Sequence, residues 1–237
     1  MREVRDGISE TQLRELRNKK RDFEKTYGEF EPHFFQTILE EQKLGPQSTF
    51  VDLGCGIGNL LVQAAIQSGC SAFGIELRDE LMGTAESLKD RALAVCELHG
   101  ISMGSVTMAW GDMVKTPAVK EWMKKADLVV VNNLKFSATL NLQILDSFLP
   151  LMKHGACVIA TDLFISGKQT RHGQYKVYPD QRTLEVTERK YPERSMSWTN
   201  SSAPYYIHRV HDPAIARRRQ EQLGKVYTGS DLGSHAA

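Results

Sequence analysis

Short apolar runs that read as β-strands alternate with helical stretches through the middle of this 237-residue chain, and that alternation limits the architecture more than any single motif does. Strands are predicted from Thr49 to Leu53, Ala72 to Glu76, Val106 to Trp110, Leu128 to Val131 and Ala156 to Thr161. Helices are predicted between them, from Asn59 to Gln67, Glu80 to Leu98, Ala118 to Met123 and Thr139 to Met152. Strands that are apolar on both faces and joined through helices form a mostly parallel sheet covered on both sides. The expected class is therefore α/β and Rossmann-like, with chemistry just outside the carboxyl ends of the strands. Beyond Thr161 the pattern turns polar, and two further strands, Thr183 to Glu188 and Tyr205 to Val210, predict an antiparallel finish. Ahead of the sheet, Ser9 can cap a helix running to about Lys25, and Pro32 can start a second that buries Phe34, Phe35, Ile38 and Leu39 and stops at Leu44-Gly45-Pro46.

Composition narrows the function classes. With 41% hydrophobic and 25% charged residues, the chain can bury one sizeable core. It has no apolar run near the roughly 18 residues of a membrane span, and its first residues lack the apolar segment of a secretory signal, so an intracellular protein with no membrane partner is expected. Cys55, Cys70, Cys96 and Cys157 form no C-x-x-C pair, which argues against a disulfide framework or a zinc site. The net charge of +1 argues against a chain coated for wrapping nucleic acid. Charge is nevertheless local: Arg14, Arg17, Lys19, Lys20 and Arg21 crowd one segment and Arg209, Arg217, Arg218 and Arg219 another. Each can be a solvated helix face or a patch for an acidic partner.

The first strand runs into Val51-Asp52-Leu53-Gly54-Cys55-Gly56-Ile57-Gly58, with Asn59 opening the next helix. Glycines there can serve close packing alone. The register is G-x-G-x-G, not the G-x-G-x-x-G of dinucleotide sites, and Asp52 precedes the first glycine by two residues. A dinucleotide brings a pyrophosphate to the helix N-terminus, whereas S-adenosylmethionine brings an amino-acid end, and Asp52 supplies an anion near its ammonium. Glu76 ends the second strand, where a carboxylate can accept ribose hydroxyls. Asp112 follows the third strand, where it can accept from an adenine amino group, with Met113 beside it to pack on the ring. Each acid alone is an ordinary surface residue. Three successive strand ends carrying suitable acceptors predict S-adenosylmethionine binding, and so a class I methyltransferase sheet.

The fourth strand leads into Asn132-Asn133-Leu134-Lys135-Phe136, and further on come Ser197-Trp198-Thr199 and Tyr205-Tyr206. Taken alone, the first is a good turn and the second and third are core aromatics. Together with Tyr27-Gly28-Glu29 and the glycine loop, in this order, they resemble the disruptor-of-telomeric-silencing methyltransferases over residues 27–210. That family methylates a lysine in the globular core of histone H3, at position seventy-nine, on intact nucleosomes and without a SET domain. The resemblance implies that Tyr27 and Glu29 close over the methionyl end of the cofactor, lined by Asp52, Gly54, Gly56 and Asn59. Glu76 would hold the ribose, and Asp112 and Met113 the adenine. Asn132, Phe136, Trp198 and Tyr205 would line the channel by which the lysine reaches the sulfonium.

The resulting organisation is a helical lead-in with a cofactor-closing loop over residues 1–45, a methyltransferase domain over 46–210, and a basic, partly disordered helix or tail over 211–237. The implied partners are the nucleosome through histone H3, with ubiquitylated H2B and the DNA backbone met through the basic patches. A monomer acting in the nucleus is expected. Two rivals share these residues: an enzyme of the same fold acting on a small molecule or another protein, and a nucleosome-binding module that keeps the cofactor pocket without turnover. A methyltransferase for nucleic-acid bases would want Pro-Pro and an aromatic after the fourth strand, which Asn133-Leu134 does not supply.

Overall fold

A computed structural model of the chain describes residues 29–164, 174–176 and 183–212. The predicted helix from Ser9 to Lys25, Tyr27, and the basic clusters other than Arg209 lie outside the described residues.

Helix α1 spans Pro32–Gln42, followed by β1 Thr49–Leu53, α2 Asn59–Ser68, β2 Ser71–Glu76, α3 Met82–Leu98, β3 Val106–Trp110, α4 Pro117–Lys125, β4 Leu128–Val131, α5 Ala138–Phe148 and β5 Cys157–Ala160. Strands β6 Gln174–Lys176, β7 Thr183–Tyr191 and β8 Ala203–His211 complete an eight-stranded sheet in the order β3-β2-β1-β4-β5-β8-β7-β6. β1 to β5 are mutually parallel, while β8 pairs antiparallel with β5, β7 with β8 and β6 with β7. This is the α/β class expected, with its antiparallel finish. The strand order reverses between β1 and β4, and such a switch point opens a crevice outside the carboxyl ends of the strands.

Alternation along the strands divides the core. Val51, Leu53, Phe73, Val129, Val131 and Val158 face a cluster closed by α4 and α5, in which Phe73 stacks on Trp122 with ring centroids 5.0 Å apart. Phe50, Ala72, Leu128, Val130, Cys157 and Ile159 face the opposite cluster, closed by Phe34, Phe35, Ile38 and Leu39 of α1 and by Leu60, Leu61 and Ala64 of α2. Gly74 lets the α2 side settle on β2, since a Cβ there would stand 2.5 Å from Leu61 Cδ1 and 2.6 Å from Cys55 Sγ.

The main departures from the predicted boundaries have local causes. α5 stops at Phe148 instead of continuing to Met152, because Pro150 has no N–H for the helix ladder. The chain passes instead into a 3-10 turn, Leu149–Leu151. α3 begins with a 3-10 turn, Asp79–Leu81, where a regular helix from Glu80 was expected. Strand β6 carries no period-2 apolar signal and was not predicted.

Candidate active site

The crevice at the switch point is built on the loop after β1. Gly54, Gly56 and Gly58 have φ of 90°, 56° and 81°, a left-handed run in which L side chains are strained. The Gly54 and Cys55 N–H groups both donate to the Ile75 carbonyl, at 2.9 and 3.0 Å, tying the loop to the end of β2. A Cβ on Gly54 would meet nothing nearer than the Phe136 ring at 4.0 Å, an ordinary contact, so it is the left-handed conformation that calls for glycine there. Gly58 then serves as N-cap of α2, which aims that helix's N-terminus at the loop.

Around this cradle stand three buried carboxylates, Glu29, Asp52 and Glu76. Glu76 accepts from the Gly56 N–H at 2.9 Å through Oε2 and from the Arg78 backbone N–H and Nε at 3.1 and 3.0 Å through Oε1. The Arg78 side chain thus pairs with one of the three acids. Burial, reinforced by the Glu76 and Glu29 carboxylates, pushes the Asp52 carboxyl up to about 8. Asn59 donates through Nδ2 to Glu29, while its Oδ1 is buried with no hydrogen-bond partner. An anionic, glycine-walled crevice with an orphaned acceptor fits a ligand whose bound end is cationic, as the amino and sulfonium groups of S-adenosylmethionine are. It would repel a pyrophosphate.

The loop after β4 forms the opposite wall. Asn132 lines the cleft with its Oδ1 accepting from the Thr161 hydroxyl at 2.9 Å, and Thr161 in turn accepts from the Leu134 N–H at 3.0 Å. Asn133 is fully buried. Its Nδ2 donates to Asn141 Oδ1 at 3.0 Å and to the Asp162 carbonyl at 3.1 Å, and its Oδ1 accepts from the Asp162 N–H at 2.9 Å. Asn133 therefore pins the β4 loop to the β5 loop and to α5, and so sets where Asn132 and Phe136 stand.

Of the residues predicted to form the site, Glu29, Asp52, Gly54, Gly56, Asn59, Glu76, Met113, Asn132 and Phe136 line this single cleft. Asp112 is not among the lining residues. Its carboxylate caps its own turn, accepting from the Val114 and Lys115 N–H groups and pairing with the Lys115 ammonium, and those bonds hold it below the usual carboxylate range against a desolvation that works the other way. Trp198 and Tyr205 also stand outside the lining. They pack into the cluster that holds Phe30, Leu60 and Val130, themselves at the cleft, and Tyr205 meets Phe34 edge-on at 5.3 Å. Burial pushes the Tyr205 phenol upward, so it offers no base near neutrality.

Asn133, Thr161 and Ser197 escaped the sequence reading as functional positions. Asn133 carried one available signal, an amide directly after an all-apolar strand and hence bound to be buried. Nothing local distinguishes Thr161.

The sequence model of a family described as "Histone methylation protein DOT1" matches residues 7–210. Among curated proteins, the chain is 36% identical over 182 residues to a "Histone-lysine N-methyltransferase, H3 lysine-79 specific" from Gibberella zeae, covering 76% of this chain and 36% of the relative. It is 31% identical over 215 residues to a protein of the same name from Yarrowia lipolytica, covering 91% of this chain and 43% of the relative. The chain thus spans 36% and 43% of the length of these two relatives. Among solved structures it resembles a putative O-methyltransferase from Klebsiella pneumoniae, with a TM-score of 0.54 at 14% identity over 88% of this chain and 90% of that one, a likeness of fold.

Proposed function

This chain belongs to the histone methylation protein DOT1 family, and on that premise we propose that it is an S-adenosylmethionine-dependent protein-lysine N-methyltransferase acting on lysine-79, in the globular core of histone H3, within nucleosomes. The observation that carries the reading is the crevice at the switch point, where Glu29, Asp52 and Glu76 converge on a glycine cradle facing Asn132 and Phe136. When bound there, S-adenosylmethionine supplies a sulfonium-activated methyl group.

The chain's own residues hold, orient and exclude water. Asp52, with Glu29 and Asn59 beside it, would hold the amino-acid end, Glu76 the ribose, and Met113 and Asp112 the adenine. Asn132 and Phe136 would border the approach of the acceptor, with Trp198 and Tyr205 shaping the wall behind. An acceptor lysine, with an ordinary pKa near 10.4, pays about 4 kcal/mol to be neutral near pH 7.4. Asn132 is an amide and the Tyr205 phenol is pushed up, so neither is a base for that proton. The apolar surroundings of Phe136 and Leu140 would instead disfavour the ammonium by desolvation, and the proton would leave to solvent before transfer. Such a reaction is one of alignment, in which most of the rate comes from placing amine, methyl and sulfur in line.

The basic segments would add contacts to nucleosomal DNA, a ubiquitylated H2B would be a further partner, and the protein would act in the nucleus, as a monomer. Labelled S-adenosylmethionine offered with nucleosomes, free histones, DNA and a metabolite mixture tests the reading directly. Label is expected on H3 in nucleosomes, and mass spectrometry should place it at lysine-79. Transfer to a metabolite or another protein with none to nucleosomes would replace the reading, and cofactor binding with no transfer to any acceptor would leave a binding module in its place.

A further inference from the structure

The Ser-Trp-Thr block and the segment that closes the cofactor cleft are one hydrogen-bonded unit. Phe30 and Met196 form an antiparallel bridge, and Met196 bridges Thr199, so Ser197 and Trp198 form the two-residue tip of a tight hairpin hung on the Glu29–Glu31 segment. Ser197 makes the bond pair nearest the cleft: its Oγ accepts from the Glu29 N–H at 2.9 Å, and its own N–H donates to the Glu29 carbonyl at 2.9 Å. One step along, the Glu31 N–H donates to the Ser195 carbonyl at 2.8 Å. From the other side, the Glu29 carboxylate accepts from Asn59, the first residue of α2 and a lining residue of the cleft. A continuous polar chain therefore runs from the glycine loop through Asn59, Glu29 and Ser197 to Trp198.

Resting on the cofactor reading above, we infer that Ser197 is a positioning residue: its two-point grip on the Glu29 backbone holds the Glu29 carboxylate in the cofactor cleft and ties occupancy of that cleft to the placement of Trp198. Backbone bonds fasten the segments at two points, from the Ser197 N–H to the Glu29 carbonyl and from the Glu31 N–H to the Ser195 carbonyl. The Ser197 hydroxyl adds a side-chain bond to the Glu29 N–H, at the residue whose carboxylate faces the ligand. Glu29 is buried and its charge acts on Asp52, so the Asn59 amide and the held backbone together keep its carboxylate in the cleft against that repulsion.

Titration calorimetry of S-adenosylmethionine on the full chain tests this. Ser197→Ala is expected to weaken binding roughly three- to tenfold, the range of one lost hydrogen bond, and Ser197→Thr, which keeps the hydroxyl, to stay within about twofold of wild type. In a Glu29→Gln background the same Ser197→Ala change should cost less than about twofold, because both act through one carboxylate. Ser197→Cys, nearly isosteric but a weak acceptor, should behave as Ala does and guards against a misfolded alanine variant. With fluorotryptophan labelling, the Trp198 fluorine resonance, assigned by Trp198→Phe, should shift on cofactor binding in wild type and much less in Ser197→Ala. Wild-type affinity in both Ser197→Ala and Ser197→Cys, or fully multiplicative effects with Glu29→Gln, would overturn the inference and leave Ser197 a fastener. If wild type itself bound no cofactor, the cofactor reading would fall and this inference with it.

Discussion

Asp52 shows how a single side chain can be costly to the fold and necessary to the site. It is buried among carboxylates, and its carboxyl is pushed up to about 8 by desolvation first and by Glu76 and Glu29 next. The folded, ligand-free protein therefore holds a proton that the unfolded chain releases above about 3.8. This acid's effect on stability is absent below that value and grows more unfavourable as pH rises, until it levels off above about 8. A cationic ligand end reverses the preference, because it favours the ionised carboxylate. Two outcomes are expected together. At pH 8, Asp52→Asn should melt higher than wild type without ligand, by some 2–4 °C for each kcal/mol relieved, while binding S-adenosylmethionine roughly ten- to a hundredfold more weakly, as suits a lost charge-assisted hydrogen bond. At pH 7, calorimetry in two buffers of different ionisation enthalpy should detect proton release on binding to wild type and less of it with Asp52→Asn. A variant that is both less stable and unchanged in affinity would remove Asp52 from the site. Asp52 was legible in the sequence from its place before Gly54. Its perturbed titration was not, because that depends first on burial and next on Glu76 and Glu29, which only the fold brings around it.

At the level of elements, β1 to β5 and their helices were legible because a buried parallel strand is written as a run of apolar residues and its helix as a 3.6-residue period. Asp52 and Glu76 could be placed because each lies at the end of its own strand, whereas Glu29 came only from the family resemblance. What joins separate segments was not legible. The pin made by Asn133 to Asn141 and Asp162, and the clamp of Ser197 on Glu29, couple positions that only the fold brings together. Trp198 and Tyr205, expected at the channel from family resemblance, stand in the wall behind it, since β8 enters the sheet beside β5 and turns Tyr205 toward α1. The pin has a measurable weight. Asn133→Ala would leave the buried Asn141 Oδ1 without its partner, at about 1–3 kcal/mol, while the exposed Asp162 backbone can turn to water. A melting temperature lower by roughly 2–12 °C is expected. Loss of transfer activity at temperatures where the variant is still folded is expected as well, because Asn132 and Phe136 hang on the same loop. Asn133→Asp should do no better, having the acceptor but not the donor to Asn141 and the Asp162 carbonyl. A variant that melted like wild type would show the pin to be dispensable.

The molecule as a whole is two half-sheets, one parallel and one antiparallel, joined along the β5–β8 ladder, and His208 sits in that seam. It pairs in register with Val158, its Nδ1 lies 3.3 Å from the Val158 carbonyl, and its ring meets Phe164 edge-on at 5.2 Å. Desolvation pulls this imidazole down to about 4, against the bonds to the backbone that favour its charged form. The folded protein keeps His208 neutral where the unfolded chain would protonate it. Its contribution to stability is thus full above about 6.5 and is lost as pH falls toward 4. The full loss is on the order of 3 kcal/mol, spread over that window. Buried Asp52 acts in the opposite sense over the same range, so the wild-type melting curve alone would blend the two. The difference between wild type and His208→Gln isolates the seam. Thermal melts from pH 7 to pH 4 should show wild type losing stability more steeply than His208→Gln, with the two curves converging at the acid end. Parallel curves would mean that the imidazole reaches solvent in the folded state and that the joint between the half-sheets is looser than its packing implies.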